Sequence, residues 1–224
     1  MPTELTLYGY WRSSAAYRVR IALNLKGLAH TIKPVHLLRD GGEQHGKDYC
    51  ELNPQELIPI LTDGDRVIRQ SLAIIEYLDE AYPETPKLLP VTARARARVR
   101  AIAQTIACDI HPLGNLRVQQ YLEREFDADE GQRQAWTKHW IVAGFDALEA
   151  TLAGHPGTGA FCEGDAPTMA DACLVPQVYN AQRFRVDMKT YPTLARIDAA
   201  CRELKAFNDA APEAQADAPN QATA

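Results

Sequence analysis

The sequence predicts two domains in series, an α/β domain over residues 1–83 and an all-helical domain over residues 91–210. Three observations carry that expectation. The first third alternates strand-like and helix-like segments. Residues 83–90 then hold three prolines, Pro83, Pro86 and Pro90, and read as a linker. Beyond Thr92 no strand pattern appears, and apolar residues recur only at helical spacing.

Taken in order, a strand is expected over Glu4–Tyr8 and a helix from Ser14 to Lys26, with Gly27 as its stop. HTIKPVHL is strand-like but carries Pro34, which suits a sheet edge. Arg39 to Cys50 is polar and reads as a loop with a single helical turn. LIPILTDGDRVIRQ pairs two short apolar runs across an Asp63-Gly64 turn and predicts a hairpin. SLAIIEYLDEAY follows with helical spacing at Leu72, Ile75, Leu78 and Tyr82. The order β-α-β-loop-β-β-α is that of a thioredoxin-like domain.

The second domain opens with one long helical pattern from Ala93 to Arg124, which Pro112 should kink or end. Its basic run, Arg94, Arg96, Arg98 and Arg100, reads as a solvated helix face. A second helix is expected over Gln132–Leu152. Thr168-Met169-Ala170-Asp171 has capping-box spacing ahead of an apolar run and marks a firmly started helix. A last helix is expected over Pro192–Phe207, and residues 211–224, APEAQADAPNQATA, read as a disordered tail.

Composition narrows the function classes. Of the 224 residues, 46% are hydrophobic and 24% charged, enough apolar material for a core in each domain. A net charge of −5 argues against nucleic acid as the main partner. Membrane spanning is not expected, because no apolar run approaches the ~20 residues that a bilayer requires. MPTELTLYGY lacks the basic-then-apolar profile of a signal peptide, so a cytoplasmic protein is expected. The five cysteines are widely spaced, with no CxxC pair and no Cys/His cluster, so reduced thiols and no metal are expected.

The chemistry is concentrated in YGYWRSSAAYRVRIALNLKG. Ser13 and Ser14 lie between a strand end and a helix start, where unpaired N–H groups and the positive end of the dipole favour an anion. From the residues alone, a helix cap is the commoner use of such a serine. Two more pairs sit in the same domain. Ile58-Pro59 is a candidate cis peptide, which would turn the Ile58 backbone toward a peptide-like ligand. Gln70-Ser71 opens the third helix, either as a cap or as a carboxylate holder.

SSAAYRVRIAL, NPQELIPIL, QSLAIIEYLDE and APTMADACLVPQVYNAQRF together resemble the zeta-class glutathione transferases, which include the maleylacetoacetate and maleylpyruvate isomerases. The resemblance runs from about Leu5 to Phe207. It implies the glutathione transferase fold, glutathione as cofactor and a homodimer. It places glutathione contacts at Ser13, Ser14, Ala15, Ala16, Tyr17, Arg18, Gln44, Ile58, Gln70, Ser71, His111, Asn115, Leu116 and Arg117. It makes Ser13 the hydroxyl that activates the thiol, Ile58 the holder of the cysteinyl backbone, and Gln70 with Ser71 the holders of the γ-glutamyl carboxylate. Some members carry a cysteine two residues after that serine. Here Ala15 stands there, so the only sulfur the chemistry needs is the cofactor's.

The implied substrate is a small dicarboxylate, for which Arg12, Arg117 and Arg183 are the candidate partners because a guanidinium fork matches a carboxylate. On an unbroken helix His111 and Arg117 would lie ~120° apart. The implied activity is maleylacetoacetate isomerisation in aromatic amino-acid breakdown, with maleylpyruvate isomerisation as the near alternative. A general conjugating enzyme and a non-catalytic adaptor are the more distant ones. An adaptor would have no need of a thiol-activating hydroxyl.

Overall fold

The computed structural model describes residues 4–219. Its elements are β1 (Leu5–Gly9), α1 (Ser14–Leu25), β2 (His30–Pro34), α2 (Lys47–Leu52), β3 (Ile60–Asp63), β4 (Arg66–Arg69), α3 (Ser71–Ala81), α4 (Ala93–Gln104), α5 (Leu116–Phe126), α6 (Glu130–Leu152), α7 (Met169–Arg183), α8 (Pro192–Arg202) and α9 (Lys205–Asp209). They fall into two compact units, Met1–Leu88 together with Glu203–Ala224, and Leu89–Arg202.

The first unit is built on a four-stranded sheet of order β2-β1-β3-β4. β1 and β2 are parallel, and β1–β3 and β3–β4 are antiparallel, so β2 with its Pro34 takes an edge as expected. Leu5, Leu7, Ile60 and Leu61 are almost wholly buried, as are Val19, Ile21 and Leu23 of α1 and Ile74, Ile75 and Leu78 of α3. At roughly 1.5–3 kcal/mol per buried aliphatic side chain, this shared core is what holds the two helices on the sheet. The hairpin turn is Gly64-Asp65, one residue later than the sequence suggested. Asp63 remains in the strand opposite Arg66, and Gly64 takes φ 61 at the first turn position. The buried Asp63 carboxylate accepts hydrogen bonds from the Tyr77 and Tyr82 hydroxyls at 2.6 and 2.7 Å, which ties the hairpin to α3. Lys26 pairs with Asp79 at 3.3 Å, both buried, and so joins α1 to α3.

Two expectations about the chain end are corrected. The helix predicted over Pro192–Phe207 is two, α8 and α9, and the segment from Glu203 belongs to the first unit rather than the helical one. The predicted disordered tail is ordered through residue 219: a 3₁₀ turn covers Pro212–Ala214, and Asp217 accepts a hydrogen bond from Trp11 N. This attachment uses backbone carbonyls and one carboxylate, so no apolar periodicity announces it. Residues 220–224 lie outside the described residues.

The second unit is all-helical. Asp129 and Thr168 cap α6 and α7 with complete capping boxes. The single long helix expected over Ala93–Arg124 is instead interrupted. After α4 comes a π-helical turn at Thr105–Ile110, a 3₁₀ turn at His111–Gly114, and an extended Asn115 (φ −65, ψ 151) that caps α5. Pro112 accounts for part of the break. Gly114, at the end of the 3₁₀ turn, packs so closely on α6 that a Cβ there would lie 2.8 Å from Thr137 Cγ2. Arg98 departs from the solvated basic face. Its guanidinium donates to Cys162 O at 2.6 Å and Thr158 Oγ1 at 2.7 Å and pairs with Glu163. None of the five cysteines forms a disulfide, and Cys162, Cys173 and Cys201 are buried. Among the described residues no helix is long and apolar enough to cross a membrane, and no group of His, Cys, Asp or Glu is placed to hold a metal.

Candidate functional site

The strand register collects the candidate residues of the first unit at one end of the sheet. Tyr8 pairs with Ile60, and Ile60 with Arg69. The chain therefore leaves β1 toward Ser13, enters β3 from Ile58-Pro59 and leaves β4 toward Gln70-Ser71, all at the same end. β2 runs parallel to β1, so the loop that carries Gln44 starts from that end too.

Ser13 is the N-cap of α1, with extended backbone (φ −69, ψ 116), and its Oγ accepts a hydrogen bond from Ala16 N at 3.2 Å. The cap reading and the activating reading are thus compatible. The cap engages an oxygen lone pair, and the hydroxyl proton is left to donate to an anion in front of the helix. No acidic residue lies in the first turn of α1 or of α3, so nothing there opposes the dipole. Ser13, Ser14 and Ala15 are half-buried. Ala16, Tyr17 and Arg18 are buried behind the turn.

Arg18 reaches from there to α3. Its Nη1 donates to Ser71 Oγ at 3.0 Å. A guanidinium only donates, so Ser71 meets it with a lone pair and keeps its own proton for a carboxylate at the α3 N-terminus. Ser71 is the first residue of α3 and not its cap. Gln70 holds the cap position with φ 70, and its Nε2 donates to Gln55 Oε1 at 2.9 Å.

Ile58-Pro59 is cis. Ile58 packs against Val35, Tyr49 and Ile60. The peptide before it is held twice, because Leu57 O accepts from Tyr49 Oη at 2.8 Å and from Asn53 Nδ2 at 2.7 Å. Neither partner was singled out from sequence; the NPQELIP spacing, with Asn53 six residues before the proline, is the signal that was there to read. Burial and the neighbouring Tyr8 raise the Tyr49 phenol's pKa, so it remains a donor. Gln44 is buried, with Nε2 and His45 Nε2 2.9 Å apart, and His45 pairs with Glu56. Gly42 must be glycine there: φ is 113, and a Cβ would lie 2.5 Å from Gln44 Nε2.

The other candidates belong to the second unit. His111 opens the 3₁₀ turn, half-buried, and Leu113 O in that turn accepts from Trp136 Nε1 at 2.7 Å. Asn115 caps α5, with Oδ1 accepting from Arg117 N at 3.2 Å. Leu116 is half-buried and Arg117 exposed. Because the helix is broken between His111 and Arg117, the ~120° separation expected for an unbroken one does not apply. Arg183 ends α7, exposed, with Nη1 donating to Asn180 Oδ1 at 3.2 Å and the guanidinium over the Phe184 ring. In the first unit Arg12 stacks on Trp11, its Cζ 5.4 Å from the ring centroid.

Residues 7–86 match the family model described as Glutathione S-transferase, N-terminal domain. Over 215 residues, 96% of this chain and 99% of the relative, the sequence is 54% identical to a probable maleylacetoacetate isomerase of Vibrio cholerae serotype O1. The chain belongs to the zeta-class glutathione transferases. A holo structure of a maleylpyruvate isomerase, described as a bacterial member of that class, aligns with a TM-score of 0.92 at 51% identity, covering 96% of this chain and all of the other. The maleylacetoacetate isomerase of Methylobacterium extorquens AM1, solved with bound malonate and glutathione, aligns at 0.90 and 41% identity over 96% of this chain and 99% of that one. The expected fold stands, a thioredoxin-like domain followed by an all-helical one, as in other zeta-class transferases.

Proposed function

We infer that this zeta-class transferase is a glutathione-dependent cis–trans isomerase of the maleylacetoacetate and maleylpyruvate type. The relatives carry that class of activity in their names, and one of them binds glutathione together with a small dicarboxylate. The observation in this chain that carries the reading is the Ser13 hydroxyl. Its oxygen is capped from within and its proton stands available at a helix N-terminus free of acidic residues.

The residues present fit glutathione. Ser71 with the α3 N-terminus suits the γ-glutamyl carboxylate, the Ile58 backbone suits the cysteinyl amide, and the loop that carries Gln44 leaves β2 at the same end of the sheet. Bound there, glutathione supplies a sulfur nucleophile that adds to the cis double bond, permits rotation about the resulting single bond, and leaves. Ser13 would donate a hydrogen bond to that sulfur, keeping its own proton, and so favour the anion over the thiol, whose unperturbed pKa is ~8.5. Arg18 keeps Ser71 oriented as a donor. Arg12, Arg117 and Arg183 are the candidate guanidinium forks for the carboxylates of the substrate. We assign His111 and Asn115, which flank the turn before α5, as further polar contacts.

Maleylacetoacetate is our first choice of substrate. The likeness to the maleylpyruvate isomerase supports the second reading, because both substrates present a maleyl group and a second acidic end. The proposal extends to a cytoplasmic homodimer with no nucleic-acid or membrane partner. Sedimentation tests the dimer, and a stable monomer at micromolar concentration contradicts it. The deciding experiment for the activity is Ser13→Ala assayed with each substrate, with and without glutathione. A hydrogen bond to a charged group contributes about 1.5–3 kcal/mol, so turnover should fall roughly 10- to 150-fold. Unchanged turnover would remove Ser13 from the chemistry.

A further inference from the structure

The first unit closes on itself in a way that neither its strand pattern nor its glutathione-side residues require. After α9 the chain returns to the turn between β1 and α1. Arg20, buried in α1, spends its guanidinium on three carbonyls: Nε on Ala210 O at 2.9 Å, Nη2 on Trp11 O at 3.0 Å and Nη1 on Tyr10 O at 3.4 Å. Asp217 accepts from Trp11 N at 2.9 Å. Both backbone polar groups of Trp11 are therefore gripped, the carbonyl by a helix side chain and the N–H by a carboxylate more than 200 residues away. Tyr10 O also accepts from Ser13 N at 3.0 Å, so the grip passes directly to the residue that carries the hydroxyl. The returning segment is itself fastened to α1, by Tyr17 Oη to Phe207 O at 3.5 Å and Asn24 Nδ2 to Ala206 O at 3.0 Å.

We propose that Arg20 and Asp217 are positioning residues that clamp the Trp11 peptide and thereby hold the Ser13 hydroxyl in place for the sulfur. The proposal rests on the isomerase reading above. A buried guanidinium with three carbonyl partners is a stiff bracket, because moving any one carbonyl leaves a charged donor unsatisfied. Burial pulls the Arg20 pKa down to about 10, and the charge of Asp217 works against that fall. Asp217 thus serves twice, as the acceptor for Trp11 N and as a counter-charge for the bracket. A hydroxyl that activates a sulfur must be held to a few tenths of an ångström, and a turn between a strand and a helix has no internal ladder to hold it.

The test uses the full chain and two variants, Asp217→Ala and Asp217→Asn, each in the parent and in the Ser13→Ala background. Asp217→Ala should lower kcat about tenfold while the KM for the maleyl substrate stays within about twofold. The apparent pKa of glutathione's thiol in the complex, followed by thiolate ultraviolet absorbance, should rise. Asp217→Asn keeps an oxygen for Trp11 N and should fall between parent and alanine. In the Ser13→Ala background neither change should lower kcat or move the thiol further, because the group being positioned is gone. Parental kcat and thiol pKa in Asp217→Ala would overturn the clamp, as would an equal loss in both backgrounds. A chain that isomerises, loses turnover on Ser13→Ala and ignores Asp217→Ala overturns the clamp alone. A chain with no glutathione-dependent isomerisation overturns the isomerase reading and the clamp with it.

Discussion

The start of α7 offers the sharpest stability prediction. Asp171 is fully buried. One carboxylate oxygen accepts from Cys162 N at 2.8 Å, and the other accepts from Thr168 N at 2.7 Å and Thr168 Oγ1 at 2.8 Å. Thr168 returns the favour by accepting from Ala170 N at 3.2 Å. Asp171→Ala strands two buried backbone donors at about 1–3 kcal/mol each and removes a hydroxyl contact of about 1 kcal/mol. Relief from burying a charge takes back part of that loss, which leaves a net cost of about 3 kcal/mol. For a chain of this length that is a fall of about 6–12 °C in Tm, read by calorimetry or by circular dichroism at 222 nm. Asp171→Asn retains one acceptor oxygen and should lose about half as much. A melt within about 2 °C of the parent for Asp171→Ala would refute this account of why α7 starts where it does. The same carboxyl gives a pH signature. Burial raises its pKa, and the hydrogen bonds from Cys162 and Thr168 oppose that rise only in part. The folded chain therefore holds this proton more tightly than the unfolded one. The stability it contributes is fully present below about pH 4 and is lost as pH rises through the folded pKa. Asp171→Asn should remove that slope.

Two further expectations concern the site. Arg183→Ala should raise the KM for the maleyl substrate about tenfold and spare glutathione affinity, since Arg183, at the end of α7, is assigned to a substrate carboxylate and to no part of glutathione; steady-state kinetics with each ligand varied in turn decide it, and equal losses for both would assign Arg183 a structural role. Gly42→Ala should weaken glutathione binding by about 1–3 kcal/mol, because φ of 113 and a Cβ 2.5 Å from Gln44 Nε2 force the loop to shift; calorimetric titration measures it, and parental affinity would show that Gln44 takes no part.

Much of the first unit could be read from its residues because each element announced itself locally. Alternation at Leu5 and Leu7, helical spacing from Val19 to Leu25 and an Asp-Gly turn are short-range signals, and the sheet they build brings Ser13, Ile58 and Ser71 to one end. What stayed hidden depends on distant partners. The π and 3₁₀ turns between α4 and α5, and the close approach of Gly114 to Thr137, lie outside what Pro112 alone announces. Gln70 sits at φ 70, which no residue preference for glutamine suggests. Arg20 reads as one more polar residue on an amphipathic helix, and Asp217 as part of a low-complexity tail, until the fold brings both to Trp11. Roles at Ser13 and Arg183 came from likeness to a family, since position and spacing alone assign Ser13 only a cap.

The claim on which the account depends is that the Ser13 hydroxyl, at the N-terminus of α1, stabilises the glutathione thiolate. The direct measurement is the pKa of glutathione's thiol in its binary complex with the protein, titrated by thiolate absorbance in the parent and in Ser13→Ala. The account predicts a value below the unperturbed ~8.5 in the parent and a rise of about one to two units in Ser13→Ala. An unshifted thiol in the parent, or the same pKa in both proteins, would contradict it.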